Sequence, residues 1–307
     1  MLESIYNIDY WKTFVQPRNF SLDLIPDLTS KTAIVTGGNS GLGYAIEKIE
    51  RELAETAPHL YPKVEFLQLD LADLKQVARA ARTFLEKGVK LDILVNNAGV
   101  GILPPTLSKE GIEMVFAVNH MGPFLFTQLL LPRLIEAQPS RIVNVSSMSH
   151  ELQLPEGGIQ FGTLGQADGE SPIVHYNRSK LANILYTKAL ARRLEEAGHD
   201  KVYVNAVHPG YVQTEIDSSA EETVGKVMSK VMTTFRRVVG RDVEDGALTQ
   251  LYCATSPEIE EKRLSGRYFV PDAHELRPSP YAMNKELQER LFKYSEDFMV
   301  KRGLLLS

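Results

Sequence analysis

Short apolar runs rich in β-branched residues recur along the chain. They are Thr32–Thr36 (TAIVT), Val64–Leu69 (VEFLQL), Leu91–Val95 (LDILV), Arg141–Val145 (RIVNV), Val202–Val207 (VYVNAV) and Tyr268–Val270 (YFV). Runs this short, without a clean polar alternation, suit strands buried on both faces. Stretches of helical period lie between them, at roughly 42–56, 73–87, 110–137, 174–197 and 243–255. Strands alternating with helices predict an α/β fold, a doubly wound parallel sheet joined by right-handed crossovers. Residues 1–30 have no clear period and end in Pro26, Asp27 and Ser30, which predicts a leader packed on the rest. No internal repeat or flexible linker divides residues 31–307, so one domain is expected there.

Composition narrows the function classes. A chain of 307 residues with 43% hydrophobic and 24% charged positions can bury a substantial core. Its net charge of −5 argues against a nucleic-acid partner, which would call for a basic face. The single cysteine, Cys253, excludes an internal disulfide framework and fits a reducing compartment. No run approaches the 18 or so apolar residues of a bilayer span, and MLESIYNIDYWKTFVQPRNF lacks the order of a secretory signal. A cytoplasmic protein is the expectation.

The first strand runs into Thr36-Gly37-Gly38-Asn39-Ser40-Gly41-Leu42-Gly43 and then into YAIEKIEREL. Glycines there permit a tight turn and let backbone N–H groups approach a diphosphate, while the following helix start adds free donors. Such a loop is also common as plain βα punctuation; the strand before and helix after favour a dinucleotide site. Tyr176 and Lys180 stand four apart in a helical stretch, so one face carries both heads. A free tyrosine, with a pKa near 10, is a poor acid–base catalyst at neutral pH. A nearby ammonium favours the phenolate and moves that value toward working pH. Alone, a pair with this spacing is more often a solvated surface pair.

TGGNSGLG, then NNAG (Asn96–Gly99), NHMG (Asn119–Gly122), VNVSS, YNRSK and HPGYVQT follow one another between residues 31 and 214. In that order the set resembles the short-chain dehydrogenase/reductase family. YNRSKLANILYTKAL, the long insert after Ser147 and the tail ELQERLFKYSEDFM are similar to its retinol-dehydrogenase-like and WW-domain-oxidoreductase-like branch.

The resemblance implies a Rossmann-like fold and hydride transfer between NAD or NADP and a carbonyl or alcohol. It implies that Tyr176 protonates the carbonyl oxygen, or deprotonates the alcohol in reverse, and that Lys180 also holds the nicotinamide ribose. Ser147 matches the serine that hydrogen-bonds the substrate oxygen, with Ser146 as the rival candidate. Asn119 matches the asparagine that holds a water on a proton path to the lysine. Gly37, Asn39, Ser40, Gly41, Leu42 and Gly43 fall on the diphosphate loop, Asp70 and Leu71 on the adenine side, and Asn97, Ala98 and Gly99 on the small-residue turn beside the ribose. Pro209, Gly210 and Thr214 match the segment contacting the nicotinamide carboxamide and diphosphate. Contacts at the carboxyl ends of parallel strands follow the general rule for such sheets. No metal is called for, since the cofactor carries the hard chemistry. His120, His150, His175 and His208 show no metal-ligand spacing and read as structural.

One departure stands out. The family places a further strand and helix between the glycine loop and the strand matching VEFLQLD, but Thr32 to Leu69 is only 38 positions, room for one crossover. The sheet is therefore expected to lack the second of the usual seven strands, whose terminal Asp or Arg chooses between NAD and NADP. Pairing Val64–Leu69 directly with Thr32–Thr36 would repair the gap and leave six strands. Asp70, 27 positions past Gly43, would then be able to serve as the acid on the ribose 2′-OH. A catalytically impaired scaffold or cofactor sensor of the same fold is the alternative function.

On the substrate side, residues 148–175 form a glycine-rich insert expected to border the substrate mouth, and 215–241 a lid. Within it, residues 220–241 set Val227, Met228, Val231, Met232 and Phe235 against Lys226, Lys230, Arg236 and Arg237. That amphipathic stretch reads as a lid helix or as a basic helix touching a membrane surface. The expected substrate is a small apolar aldehyde, ketone or alcohol, and the expected state a monomer or homodimer.

Overall fold

The structure is a computed structural model that describes residues 16–38, 43, 64–210 and 242–306. Its sheet holds six strands: β1 (Ala33–Val35), β2 (Ile93–Asn96), β3 (Ser140–Val145), β4 (Val202–Val207), β5 (Tyr268–Val270) and β6 (His274–Glu275). They lie side by side in chain order, β1 to β5 parallel and β6 antiparallel to β5. Four of the helices are α1 (Leu74–Leu85), α2 (Met114–Glu136), α3 (Pro172–Glu196) and α4 (Val243–Thr255). A fifth, α5 (Lys285–Val300), closes the chain. The doubly wound expectation therefore holds.

Alternation along the strands feeds two cores. Leu94, Ile142 and Val204 point to one side, where α1, α2, α3 and α5 contribute Val77, Phe116, Phe124, Leu185 and Leu291. Ile93, Val95, Val143, Tyr203 and Phe269 point to the other, against Leu248, Leu251 and Tyr252 of α4. Phe20 of the leader joins this second core, meeting the Tyr252 ring edge-on at 5.6 Å. Strands with side chains buried on both faces must be apolar nearly throughout, which is why their sequences show no clean polar alternation.

The helix ends have local causes. Asp73 caps α1, its carboxylate accepting from the amides of Lys75 and Gln76, and Lys109 at 2.7 Å holds that carboxyl down at about 2. Glu113 caps α2 in the same way, accepting from Val115 and Phe116. By length and composition α2 could cross a bilayer, although no unbroken apolar run in the sequence announces it. It is interior instead: 72% of its most apolar window is buried, and Leu125, Phe126 and Leu130 are core residues.

The expected repair of the sheet does not occur. Residues 64–69 form no strand, and β1 pairs with β2 alone among the described residues. Thr36 donates its amide to Val95 O, and Asp92 and Ile93 donate theirs to Thr32 O, all on the β2 side. Leu67 and Leu69 lean on the first core while Val64 and Phe66 face solvent, Phe66 at 86% exposure. Apolar alternation is thus spent on packing against helices, without a ladder. The sixth strand is β6, a two-residue return too short to show any period. The expected helix at 42–56 and the lid at 215–241 fall outside the described residues, apart from Gly43.

Candidate functional site

The carboxyl ends of β1, β2, β3 and β4 bring the expected residues to one edge. After β1, the Thr36 hydroxyl accepts from the amides of Asn97 and Ala98 at 3.0 and 2.9 Å, and Asn97 Nδ2 donates to Thr36 O at 3.0 Å. The turns following β1 and β2 are thereby stitched together. Gly37 adopts φ +73°, and a Cβ there would lie 3.1 Å from the Cα of Ala98. A Cβ at Gly43 would lie 2.3 Å from Gly37 O, so the loop closes on itself only with glycine at both places. Asn39, Ser40, Gly41 and Leu42 lie outside the described residues. So does Thr214.

Asn119 sits in a π-helical turn, Ala117–Met121, inside α2. Such turns are rare and recur at functional sites. Its Nδ2 donates to Val100 O at 2.9 Å and Ser179 Oγ at 3.0 Å, while its Oδ1 accepts from Val100 N at 2.8 Å. The side chain therefore ties the loop after β2 to α3. Gly99 lies between: a Cβ there would stand 3.0 Å from Asn119 Oδ1 and 3.6 Å from Lys180 Nζ.

The two serines at the end of β3 separate. Ser146 is buried and donates to the carbonyl of Lys180 at 2.7 Å. Ser147 is half-buried, and its Oγ accepts from Ser149 N at 3.2 Å as it caps a short 3-10 turn, Met148–Glu151. Tyr176 and Lys180 share one face of α3, with Lys180 Nζ 5.5 Å from the centre of the Tyr176 ring. Lys180 is buried and donates to Val145 O at 3.3 Å. Burial lowers its ammonium from the ordinary 10.5 to about 8.

At the end of β4, Pro209 is buried and Gly210 takes φ +92°, its amide donating to His208 Nδ1 at 3.4 Å. Asp70 is exposed and accepts from Ala72 N at 2.9 Å, capping the turn into α1. Leu71 is core; its carbonyl oxygen would lie 2.6 Å from a Cβ on Gly122. Among the described residues no group of His, Cys, Asp or Glu is arranged to hold a metal.

Sequence reasoning missed Gln250. It is buried in α4 and donates to Asn97 Oδ1 at 3.0 Å, so a helix from the far end of the chain orients the turn after β2. The only local signal is a polar residue amid the apolar positions of that helix. His120, expected to be structural, is pressed between Phe116, Phe124 and Tyr186 with Nε2 3.0 Å from Ser295 Oγ.

Residues 46–159 match the family model described as short chain dehydrogenase. An uncharacterized oxidoreductase of Schizosaccharomyces pombe is 36% identical, over 89% of this chain and 87% of that one. Human retinol dehydrogenase 14 is 35% identical, over 90% of this chain and 87% of that one. Among solved structures, a Beutenbergia cavernae protein with bound NADP, described as an NAD(P)-dependent gluconate 5-dehydrogenase, is similar with a TM-score of 0.58. It is 26% identical, over 80% of this chain and 96% of that one.

Proposed function

The chain belongs to the short-chain dehydrogenases, NAD(P)-dependent oxidoreductases, and from that premise we propose that it interconverts an apolar carbonyl and its alcohol with Tyr176 as the general acid–base. The observation that carries the proposal is the placing of the buried Lys180 ammonium beside the Tyr176 ring, with Asn119 bonded from the π turn of α2 to Ser179 of α3 and Ser147 just past the end of β3.

The residues present fit a nicotinamide cofactor. A side chain at Gly99 would reach Asn119 and come within van der Waals contact of Lys180 Nζ, so its absence leaves room beside a buried ammonium for a ribose hydroxyl. Lys180 would hold the nicotinamide ribose beside Gly99, the turn Asn97–Gly99 the ribose and adenine side, and the turn at Gly37 and Gly43 the diphosphate. The bound cofactor supplies or accepts the hydride.

The protein's residues move the proton. In the reducing direction Tyr176 donates its phenolic proton to the carbonyl oxygen as negative charge develops there; in oxidation it removes that proton from the alcohol. Lys180 stabilises the resulting phenolate by charge. Ser147 donates to the same substrate oxygen and fixes its distance from Tyr176. Ser146 is engaged with the Lys180 carbonyl, which leaves Ser147 as the better-placed donor. Asn119 braces the loop after β2 against α3, and so fixes the floor on which Lys180 stands. A retinoid-like substrate is the reading drawn from the relatives' names.

The alternative, an impaired scaffold or cofactor sensor, draws on the shortened cofactor half, in which Thr32 to Leu69 spans only 38 positions and residues 64–69 form no strand. One measurement decides between the two. NADPH and NADH are titrated into the purified chain while nicotinamide fluorescence is followed, with all-trans-retinal then added as substrate. Binding of at least one dinucleotide and turnover lost in Tyr176→Phe, with affinity kept, are expected. Absence of binding to both overturns the enzymatic reading, and retained turnover in Tyr176→Phe removes that residue from its role.

A further inference from the structure

A buried cluster of charged groups lies behind the catalytic face of α3. Arg178 is fully buried two residues past Tyr176, on the opposite side of the helix. Its Nη1 donates to Glu170 Oε2 at 2.6 Å and to Thr163 Oγ1 at 3.2 Å. His175, equally buried, sets Nε2 3.6 Å from the same Glu170 oxygen and Nδ1 3.3 Å from Glu113 Oε1. Glu113 caps the start of α2. Only the Arg178 contacts are hydrogen bonds; neither ring nitrogen of His175 makes one. The row Glu113–His175–Glu170–Arg178 sets the beginning of α2, the end of the insert after Ser147 and the first turns of α3 side by side. None of these four residues is needed for proton or hydride transfer.

Two features give the row a task. The insert expected at 148–175 ends at Ser171, because α3 begins at Pro172; it runs from the residue after Ser147 to the residue before α3, so both its ends are attached to the site. It touches α3 at further points: Asn177 Nδ2 donates to Leu152 O at 2.7 Å, and a Cβ on Gly158 would stand 3.1 Å from Leu181 Cδ2. The start of α3 has Pro172 at its first position and the amides of Val174 and His175 on Ser171 O, but Ser171 makes no side-chain capping bond, so the turn leading into Tyr176 lacks that anchor.

We infer that the buried row is a latch that holds the insert closed against α3, with Glu170 and Arg178 as positioning residues for Tyr176. The inference rests on Tyr176 as the acid–base. Removing the Glu170 charge leaves the Arg178 guanidinium buried without its carboxylate, which the chain relieves by opening the insert toward water. The first turn of α3 then loosens, and the phenol wanders from the substrate oxygen.

The test compares the full-length wild type with Glu170→Gln and Glu170→Asp. Amide hydrogen exchange is followed in peptides covering residues 152–171 and 172–180. NADPH affinity is read by fluorescence, and kcat and KM with all-trans-retinal as probe. In Glu170→Gln, faster exchange in both peptides, kcat lowered about tenfold or more and unchanged NADPH affinity are expected, with partial recovery in Glu170→Asp. Unchanged exchange in Glu170→Gln overturns the latch, whatever Tyr176 proves to do. Faster exchange with intact kcat overturns the positioning role. So does a parallel loss of kcat, affinity and melting temperature to the same degree in both variants, the pattern of mere structural support. Failure of the Tyr176 reading is seen separately, as retained turnover in Tyr176→Phe.

Discussion

Ser146 Oγ donates to the carbonyl of Lys180 at 2.7 Å, across the junction between β3 and the middle of α3. The neighbouring Ser147 turns the other way and caps the first turn of the insert. Adjacent, chemically identical side chains thus have separable tasks. Ser146→Ala should cost roughly 1 kcal/mol of stability, as for a lost buried hydrogen bond, while leaving turnover measurable. Ser147→Ala should keep the melting temperature and lose most of kcat. Thermal melts and steady-state rates on the two variants check this, and an exchange of the two phenotypes would reassign the substrate-binding serine.

Lys180 gives a signature in alkaline solution. Its ammonium titrates at about 8 in the fold and at its ordinary 10.5 in the unfolded chain. Between those values the unfolded chain binds the extra proton, so this group makes stability rise with pH across that window. Melting of the cofactor-free protein from pH 8 to 10 should therefore show an upward contribution that Lys180→Met lacks. Lys180→Ala should in addition weaken cofactor binding as well as turnover. Identical pH slopes in wild type and Lys180→Met would mean that the ammonium is hydrated.

Two buried histidines set the acid limit. Burial lowers His120 to about 3 and His150 to about 4, each from an ordinary 6.5. Both are neutral in the fold, so below pH 6.5 the unfolded chain takes up protons that the folded chain refuses. Stability should fall by about 1.4 kcal/mol per pH unit for each histidine as pH drops toward 4. Urea midpoints at pH 7, 6 and 5 measure the slope, and His120→Gln should remove about half of it. A slope unchanged by that substitution would place the titrating groups elsewhere.

Much of this was legible beforehand because local chemistry carries it. The runs at Val202–Val207 and Tyr268–Val270 are strands at those same residues, since apolar β-branched positions between helices have few other places to go. Motif order picks out the candidate serine, tyrosine and lysine, though nothing local distinguishes Ser146 from Ser147; only the approach of α3 does. Val64–Leu69 was misread because its composition suits a strand, whereas a strand also needs a ladder, and here Leu67 and Leu69 pack on the first core without one. Gln250 was invisible: its partner Asn97 stands 153 positions away, and no local pattern encodes that meeting. The latch was hidden for the same reason, since Glu113 and His175 approach only once α2 and α3 have packed.

A consequence follows for anyone mapping tolerance to substitution along α3. One side of this helix carries Tyr176 and Lys180, another carries Arg178, and Leu181, Ile184 and Leu185 fill the core. From Asn177 to Thr187 every side of the rod is occupied, so a mutational scan scored by growth or signal alone will report a uniform band of intolerance over that stretch. The band will look like one long active site. Only dividing each variant's activity by its cellular abundance will resolve it, into a few positions where the protein accumulates but is idle and many where it never accumulates.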